Sequence, residues 1–530
     1  MQRLPLLLLS LLTASLWAQP QHILFTYMGD PSTTLTANWQ SAPGKSSPVV
    51  YYDTVSRGGN HQAYSYQSEG QTLSIPDLED RAIYRVNLQD LEPATTYFLT
   101  VGNAEFGFSP EIKVKTIPQD DTALRFVTGG DMGTSEDVRT LLRHSATFDP
   151  NFAVIGGDIA YANGLTESVD KWDTWLSYYT EEMITSEGHT IPLVLAIGNH
   201  EVRGGFNKTK AEVPFYFTLF GQEEERSYFT RQFGKNLVFF VLDTSHVASH
   251  ESQVEWLEKA FTTYQDIRYT AAVYHVPLYP SHRDFTNRYS ELGRKHWGPI
   301  FDRHQLTVAF ENHDHTYKRS HLLKHDEVTE DGQGTLYLGD GCWGRNTRAV
   351  SYHPREYLKQ SGAIKHFWVA DCSSEKMVYR AVDLDNQVFD VYPETEPEAQ
   401  VAQEIFDAKE QNYILPDGVV SLHKTHTEND RWIGGEVTIT VKNPFSTPLD
   451  IQLKAKFADN KITGGSGLPH SFKQIAPGAE EQLLTSFHLR PEADAHTIDI
   501  VIGAETRDPE SDRVLRFWKT DYLWLTKPTE

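Results

Sequence analysis

Cysteine is nearly absent: the 530 residues hold two, Cys342 and Cys372. That excludes a disulfide-dense scaffold and a zinc site walled by thiolates. One candidate disulfide remains, and spacing alone does not bring its ends together. Positive charge is in deficit too, with 48 Lys and Arg against 72 Asp and Glu, a net charge of −24. A field of that sign repels nucleic acid and anionic lipid, so neither is an expected partner. It also obliges any phosphate-binding site to bring its own cations. Beyond residue 18 no apolar run approaches the ~20 residues of a membrane span. Internal repeats and low-complexity tracts are missing. With 39% hydrophobic and 23% charged residues, the composition is that of a folded chain and not of a disordered one. Histidine, by contrast, is plentiful, at 22 residues.

The N-terminus has one basic residue, Arg3, then a leucine-rich stretch, then the small Ala18. This pattern predicts a signal peptide over 1–18, cleaved near Ala18–Gln19, and a secreted, periplasmic or extracellular mature chain without an integral membrane segment. Residues 22–118 read as all-β, with alternating stretches such as Leu35–Trp39 and Tyr97–Val101 between Gly, Pro, Asn and Ser turns. Trp39 and the segment Leu91–Tyr97 resemble the core Trp and the tyrosine corner of fibronectin type III domains. Residues 119–385 alternate short apolar runs with helical segments, the pattern of an α/β layered domain. Residues 386–414, rich in Glu, Gln and Ala, read as a linker with one exposed helix. Residues 415–530 return to strand alternation and predict a second β-sandwich.

Five apolar runs of the middle domain end alike. The run Leu124–Gly130 is followed by Asp131. Phe152–Gly157 is followed by Asp158, with Tyr161 close behind. Pro192–Gly198 leads into Asn199, His200 and Glu201, and Tyr269–Tyr274 into His275. Leu306–Asn312 leads into His313 and His315. Each run is strand-like and delivers a polar group at its C-terminal end, the edge where α/β sheets bind ligands. A lone Gly-Asp, Asn-His-Glu or His-x-His is a common turn. Five in series are not. The delivered donors are oxygen and imidazole nitrogen, without sulfur, a set that suits Fe, Zn or Mn better than Ca or Mg. Seven donors are too many for one catalytic ion with an open position. They suffice for two ions sharing a carboxylate, which would also supply the local positive charge that a −24 chain lacks.

The ordered set Gly-Asp-x-Gly at 130–133, Gly-Asp-x-x-Tyr at 157–161, Gly-Asn-His-Glu at 198–201, Val-x-x-His around His275 and His-x-His at 313–315 resembles the purple acid phosphatases, a branch of the binuclear metallophosphoesterases in the calcineurin-like phosphoesterase superfamily. The resemblance covers about residues 22–385, and Tyr161 is its most telling residue. It implies a four-layer αββα sandwich flanked by the N-terminal fibronectin type III-like domain and a C-terminal β-sandwich. It implies Fe(III) on Asp131, Asp158, Tyr161 and His315, and a divalent Zn, Mn or Fe on Asp158, Asn199, His275 and His313. Asp158 would bridge, and a Tyr161 phenolate on Fe(III) would give the colour. The implied activity is hydrolysis of small phosphate monoesters through in-line attack by hydroxide made at the metal pair, with His200 assisting the leaving group. His282 is a second candidate acid, and a solvated loop histidine is an equal reading of it. Glu201 reads as an orienting residue.

Two positions depart from the family pattern. Asn312 stands where a glycine is usual, and an Asn tolerates the left-handed backbone such a turn needs. Lys318 stands where an acidic residue is usual. Asn207-Lys-Thr209 forms a glycosylation sequon. His423 and His426 read as surface residues. Trp172, Trp175 and Trp297 read as core. A phosphodiesterase on the same scaffold, or a cell-surface binding protein with a vestigial metal site, are the competing readings. The C-terminal sandwich is a candidate module for polysaccharide or cell-envelope contact.

Overall fold

The computed structural model describes residues 19–222, 226–329, 332–353, 355–429, 432–457, 461–490 and 497–525. The expected signal peptide over 1–18 lies outside them. The chain divides into two compact units, Met1–Thr347 with Pro354–Lys409, and Arg348–His353 with Glu410–Glu530.

The first unit holds an N-terminal β-sandwich and an α/β sandwich. The N-terminal sheets comprise Gln21–Thr26, Leu35–Ser41, Ala82–Leu88 and Gln71–Leu73 on one side, and Tyr66–Glu69, Val49–Asp53, Thr96–Asn103, Gly107–Phe108 and Ile112–Lys115 on the other. Trp39 stacks on Tyr84 in the core at 5.7 Å. The Glu92 N–H donates to the Tyr97 hydroxyl at 2.8 Å, which fixes the corner that the sequence suggested. Arg85 donates to the Phe217 and Thr218 carbonyls, and Arg81 pairs with Asp173, so this sandwich is tied to the elements that follow.

The α/β part is built on two sheets. The first runs β1 (Leu124–Gly129), β2 (Phe152–Ile155) and β3 (Leu193–Leu195) in parallel. The sheet is completed by His366–Cys372, antiparallel to β1, followed by Met377–Asp383 and Val388–Tyr392, whereas Leu358–Gly362 pairs with Tyr317–Lys324 in the second sheet. The second sheet has a parallel centre of Leu237–Val241, Tyr269–Val273, Val308–Phe310 and Thr335–Gly339, with Phe229–Phe233 antiparallel at one edge and Tyr317–Lys324 antiparallel to Thr335–Gly339. Alternate residues of each strand face opposite ways. Phe126 and Phe152 therefore meet Phe239 and Phe233 between the sheets, with the Phe152 and Phe233 rings stacked at 3.8 Å. Val127, Ala153 and Ile155 face outward onto helices α1 (Glu136–Ala146) and α2 (Val169–Glu182), burying Trp172 and Trp175. Val238, Phe240 and Ala272 face helices Val254–Thr263 and Gly298–His304, burying Trp297. The result is the expected αββα order, and all three tryptophans are core.

One expectation needs correction, and one pairing left open by the sequence is answered. Residues 386–414 are not a linker: Val388–Tyr392 is a strand of the first sheet, and helix Ala399–Ala408 packs beside it through Ala402, with Phe406 stacked near Phe389. Gln400 and Glu404 of that helix are exposed, and the polar residues mask its apolar side in the sequence. Cys342 and Cys372 are not bonded to each other. Both are buried, and burial pushes the Cys372 thiol up to about 12.

In the second unit, a sheet of Asn412–Ile414, Val514–Trp524, Thr497–Arg507, Leu449–Phe457 and His470–Ile475 packs on one of Val420–Asn429, Trp432–Lys442, Glu480–Leu489 and Ile462–Gly464. This is the expected C-terminal β-sandwich. His423 lies exposed on it, as expected, and His426 is half-buried.

Candidate metal centre

Turns at the strand ends carry the donors, and they are unusual turns. Five of the seven sit in the left-handed region: Asp131 (φ 55°), Asp158 (53°), Tyr161 (59°), His313 (76°) and His315 (55°). Such backbone costs about 1–3 kcal/mol per non-glycine residue, and clusters of it mark functional sites. The φ of Asn312 is not among the positive ones, so its expected role changes. Its buried amide donates to the Tyr274 carbonyl at 2.9 Å, and its side chain fills the space where a Cβ on Gly156 would sit, 1.9 Å from Nδ2. The strained turn falls one residue later, on His313.

The side chains gather in two adjacent groups. In the first, the Tyr161 hydroxyl lies 3.1 Å from Asp131 Oδ1 and 3.0 Å from His315 Nε2, and His315 Nε2 lies 2.9 Å from Asp131 Oδ1. In the second, His275 Nε2 lies 3.2 Å from Asp158 Oδ2, 3.2 Å from Asn199 Oδ1 and 3.0 Å from His313 Nδ1. Asp158, His275 and His313 offer donor atoms that all lie within 4.8 Å of one another. The groups are joined by the His313 N–H, which donates to Asp131 Oδ2 at 2.7 Å. Outer partners orient the rings: His275 Nδ1 faces the Gly156 carbonyl at 2.9 Å and His315 Nδ1 the Asn346 carbonyl at 3.2 Å, so both Nε2 atoms point inward.

Electrostatics follow from this crowding. Burial alone lowers the His275 pKa, and the Asp158 and Asp131 carboxylates outweigh it and push it up. Burial raises the Tyr161 phenol, and the same two carboxylates raise it further. Carboxylates, imidazoles and a phenol held this close form a donor set that a shared cation would stabilise.

Glu201 is buried and accepts N–H bonds from Asp158, Ile159 and Gly198, each at 2.8 Å. It clamps the Asp158 turn to the Asn199 turn, the orienting part expected of it. Burial and the Asp158 charge push its carboxyl up. His200 stands at the mouth, its side chain 32% exposed, with Nε2 3.7 Å from Asp158 Oδ2 and Nδ1 against Asn163 Oδ1. His282 lies on a loop braced from below, its N–H donating to Asp314 at 2.7 Å while Arg283 reaches the His313 carbonyl at 2.8 Å. Asn207 is exposed, and its amide donates to the Tyr289 hydroxyl at 3.1 Å.

Three neighbours have no sequence signal. Phe206 stacks on His246 at 4.7 Å and edges His313 at 6.4 Å. Burial lowers His246 to about 3, so it is neutral, with Nδ1 on the Gly205 carbonyl. Arg345 lies over the Tyr161 ring, 4.1 Å from its centroid. All three come from loops whose approach is set by sheet packing. His246, one of many histidines at a strand end, was the most findable.

Two packed sheets with paired donor groups at their C-terminal strand ends define a metallophosphoesterase. Residues 124–317 match the calcineurin-like phosphoesterase family and residues 20–116 the purple acid phosphatase N-terminal domain. Purple acid phosphatase 15 of Arabidopsis thaliana is 23% identical over 335 residues, covering 56% of this chain and 62% of that protein. Probable purple acid phosphatase 20 of the same plant is 24% identical over 308 residues, covering 56% of this chain and 68% of its own. The structure of a purple acid phosphatase from yellow lupin (Lupinus luteus) seeds superposes with a TM-score of 0.61 at 18% identity, covering 71% of this chain and 74% of that one. Over residues 20–116 and 124–317 the chain thus matches the two domain families that purple acid phosphatases combine, and its fold resembles theirs.

Proposed function

We propose that this chain is a phosphatase that hydrolyses phosphate monoesters with a pair of metal ions as cofactor. The observation that carries the reading is the convergence of seven donors in two touching groups, five of them on strained backbone. Asp131, Tyr161 and His315 with Asp158 would hold Fe(III). Asn199, His275 and His313 with Asp158 would hold a divalent Zn, Mn or Fe. When bound, the two ions supply positive charge for phosphoryl oxygens and acidify a water. The chain's own part is positional. Glu201 fixes the Asp158 turn through backbone N–H bonds, and the Nδ1 bonds of His275 and His315 to carbonyls hold their Nε2 atoms inward. His200, at the open side, would protonate the leaving alkoxide, with His282 a second donor on its braced loop. The leader-like segment 1–18 supports a place outside the cytoplasm, and no described helix is long and apolar enough to cross a membrane.

The purified protein is expected to carry about two metal ions including iron by mass spectrometry. It should show a broad visible band that Tyr161→Phe removes, and it should cleave p-nitrophenyl phosphate. No bound metal and no hydrolysis after iron and zinc reconstitution overturn the reading. A colourless two-metal protein that cleaves only bis-esters moves it to a phosphodiesterase.

We also infer that the second unit offers a face to polysaccharide. Trp518, Tyr522 and Trp524 are 50%, 64% and 57% exposed on one side of strand Val514–Trp524. The Trp518 ring lies over Gly503, whose Cβ would meet it at 3.1 Å, so a flat aromatic surface faces outward. The full chain is expected to sediment with insoluble cellulose or chitin, and Trp518→Ala with Trp524→Ala to abolish this. Failure of the native chain to sediment with either removes the inference.

A further inference from the structure

Arg345 has a place in the site and no task in the function proposed above. Its backbone N–H donates to the Asp131 carbonyl at 3.1 Å, and its carbonyl accepts from the Cys342 thiol at 3.1 Å, so the loop is pinned at both ends of the residue. The loop comes this close because residue 341 is glycine: a Cβ there would stand 1.9 Å from Asp131 Oδ2. The guanidinium is thereby laid over the face of Tyr161, whose hydroxyl touches Asp131 and His315.

Two further facts bear on what it is for. Arg345 is exposed, and among the described residues no carboxylate or carbonyl takes a hydrogen bond from its guanidinium. The neighbouring cations are committed elsewhere. Lys171 Nζ donates to the Tyr161 carbonyl at 3.0 Å, and Arg283 is paired with Asp314. In a chain of net charge −24, a solvent-facing cation left open beside a buried cluster of carboxylates is placed for an incoming anion. A guanidinium above an aromatic ring still has N–H groups that the ring does not take, and two of them match two oxygens of a phosphate.

We propose that Arg345 selects phosphate monoesters over diesters, by taking a phosphoryl oxygen that a diester has esterified. The inference rests on the phosphoesterase reading and names the residue that sets its substrate class. A monoester presents three unesterified oxygens and a second negative charge. A diester presents two oxygens and one charge, so removing the fork costs the monoester more.

The test uses the metal-loaded full chain, with p-nitrophenyl phosphate as substrate and inorganic phosphate or dimethyl phosphate as competitive inhibitor. Arg345→Ala is expected to raise KM and the inhibition constant of phosphate about tenfold or more, with a smaller fall in kcat. The inhibition constant of dimethyl phosphate should move less than about threefold, and Arg345→Lys should recover part of the phosphate affinity. Metal content and the visible band report whether the variant has kept the centre. Equal weakening of both inhibitors, or an unchanged phosphate constant, overturns the inference and leaves the phosphatase reading standing. A loaded native protein that neither hydrolyses the ester nor binds phosphate by calorimetry overturns both.

Discussion

Asp158→Asn is expected to lower kcat/KM for p-nitrophenyl phosphate by roughly 10³-fold or more, and to cut metal content below two per chain. The side chain is 1% exposed, with Oδ2 on His275 and Oδ1 accepting the His200 N–H at 2.8 Å, and its charge acts on the Tyr161 phenol of the other group. Asn keeps the shape and one acceptor. It loses the charge that holds His275 protonated or a cation bound, and it turns an amide N–H₂ toward one of these partners. Asn also leaves buried His275 without its carboxylate partner, so circular dichroism and the urea midpoint are read beside metal content to separate a lost centre from a lost fold. Activity within tenfold of native would mean that Asp158 is not shared between two ions.

The second large effect is structural, and it falls on the residue that departs from the family. Lys318 is fully buried. Its ammonium pairs with Glu311 and with Asp340 at 2.7 Å, and donates to the Tyr279 carbonyl at 2.5 Å. Glu311 also accepts from the Tyr274 hydroxyl at 2.7 Å and the Leu278 N–H at 2.6 Å, and Asp340 accepts from Ser281. The basic residue in place of an acidic one is therefore a matched charge. Its partner Asp340 accepts the His315 N–H on its carbonyl at 3.0 Å, which links the charge cluster to the His313–His315 turn. Lys318→Met would leave two buried carboxylates without a cation, at a cost of about 3–5 kcal/mol in urea unfolding of the first unit. Burial raises the Asp340 carboxyl and Lys318 opposes this, so the variant raises it further. A carboxyl whose folded pKa lies above its unfolded value binds its proton more readily when folded. The deficit should therefore be smallest in acid and widen as pH rises through the folded pKa. A variant as stable as native at neutral pH would remove this account of residue 318.

Much of the centre was legible in the sequence, for a definite reason. A buried parallel strand is an apolar run, and its C-terminal turn is a short polar word, so Gly-Asp, Asn-His-Glu and His-x-His could be read in order. Glu201 was legible too, since it follows two site residues directly. What was not legible depends on contacts across the chain. Which residue of Asn312–His313 takes the strained φ depends on Gly156, in a different turn. Arg345 owes its position to the approach of the 341–345 loop to Asp131. In 386–414 the helix was expected but its buried side was not, and the place of strand Val388–Tyr392 in the first sheet depends on pairing with Met377–Asp383 that no local pattern shows.

The left-handed turns at Asp131, Asp158, Tyr161, His313 and His315 have a bearing on how such a centre changes over generations. At each of these positions the backbone alone would prefer glycine, so a donor replaced by glycine relieves backbone strain as it removes a candidate ligand. Drift toward a silent copy is thus downhill in folding energy. Restoring activity is uphill at five places at once. A lineage that loses this centre is more apt to keep a sturdy, inert scaffold than to recover an enzyme.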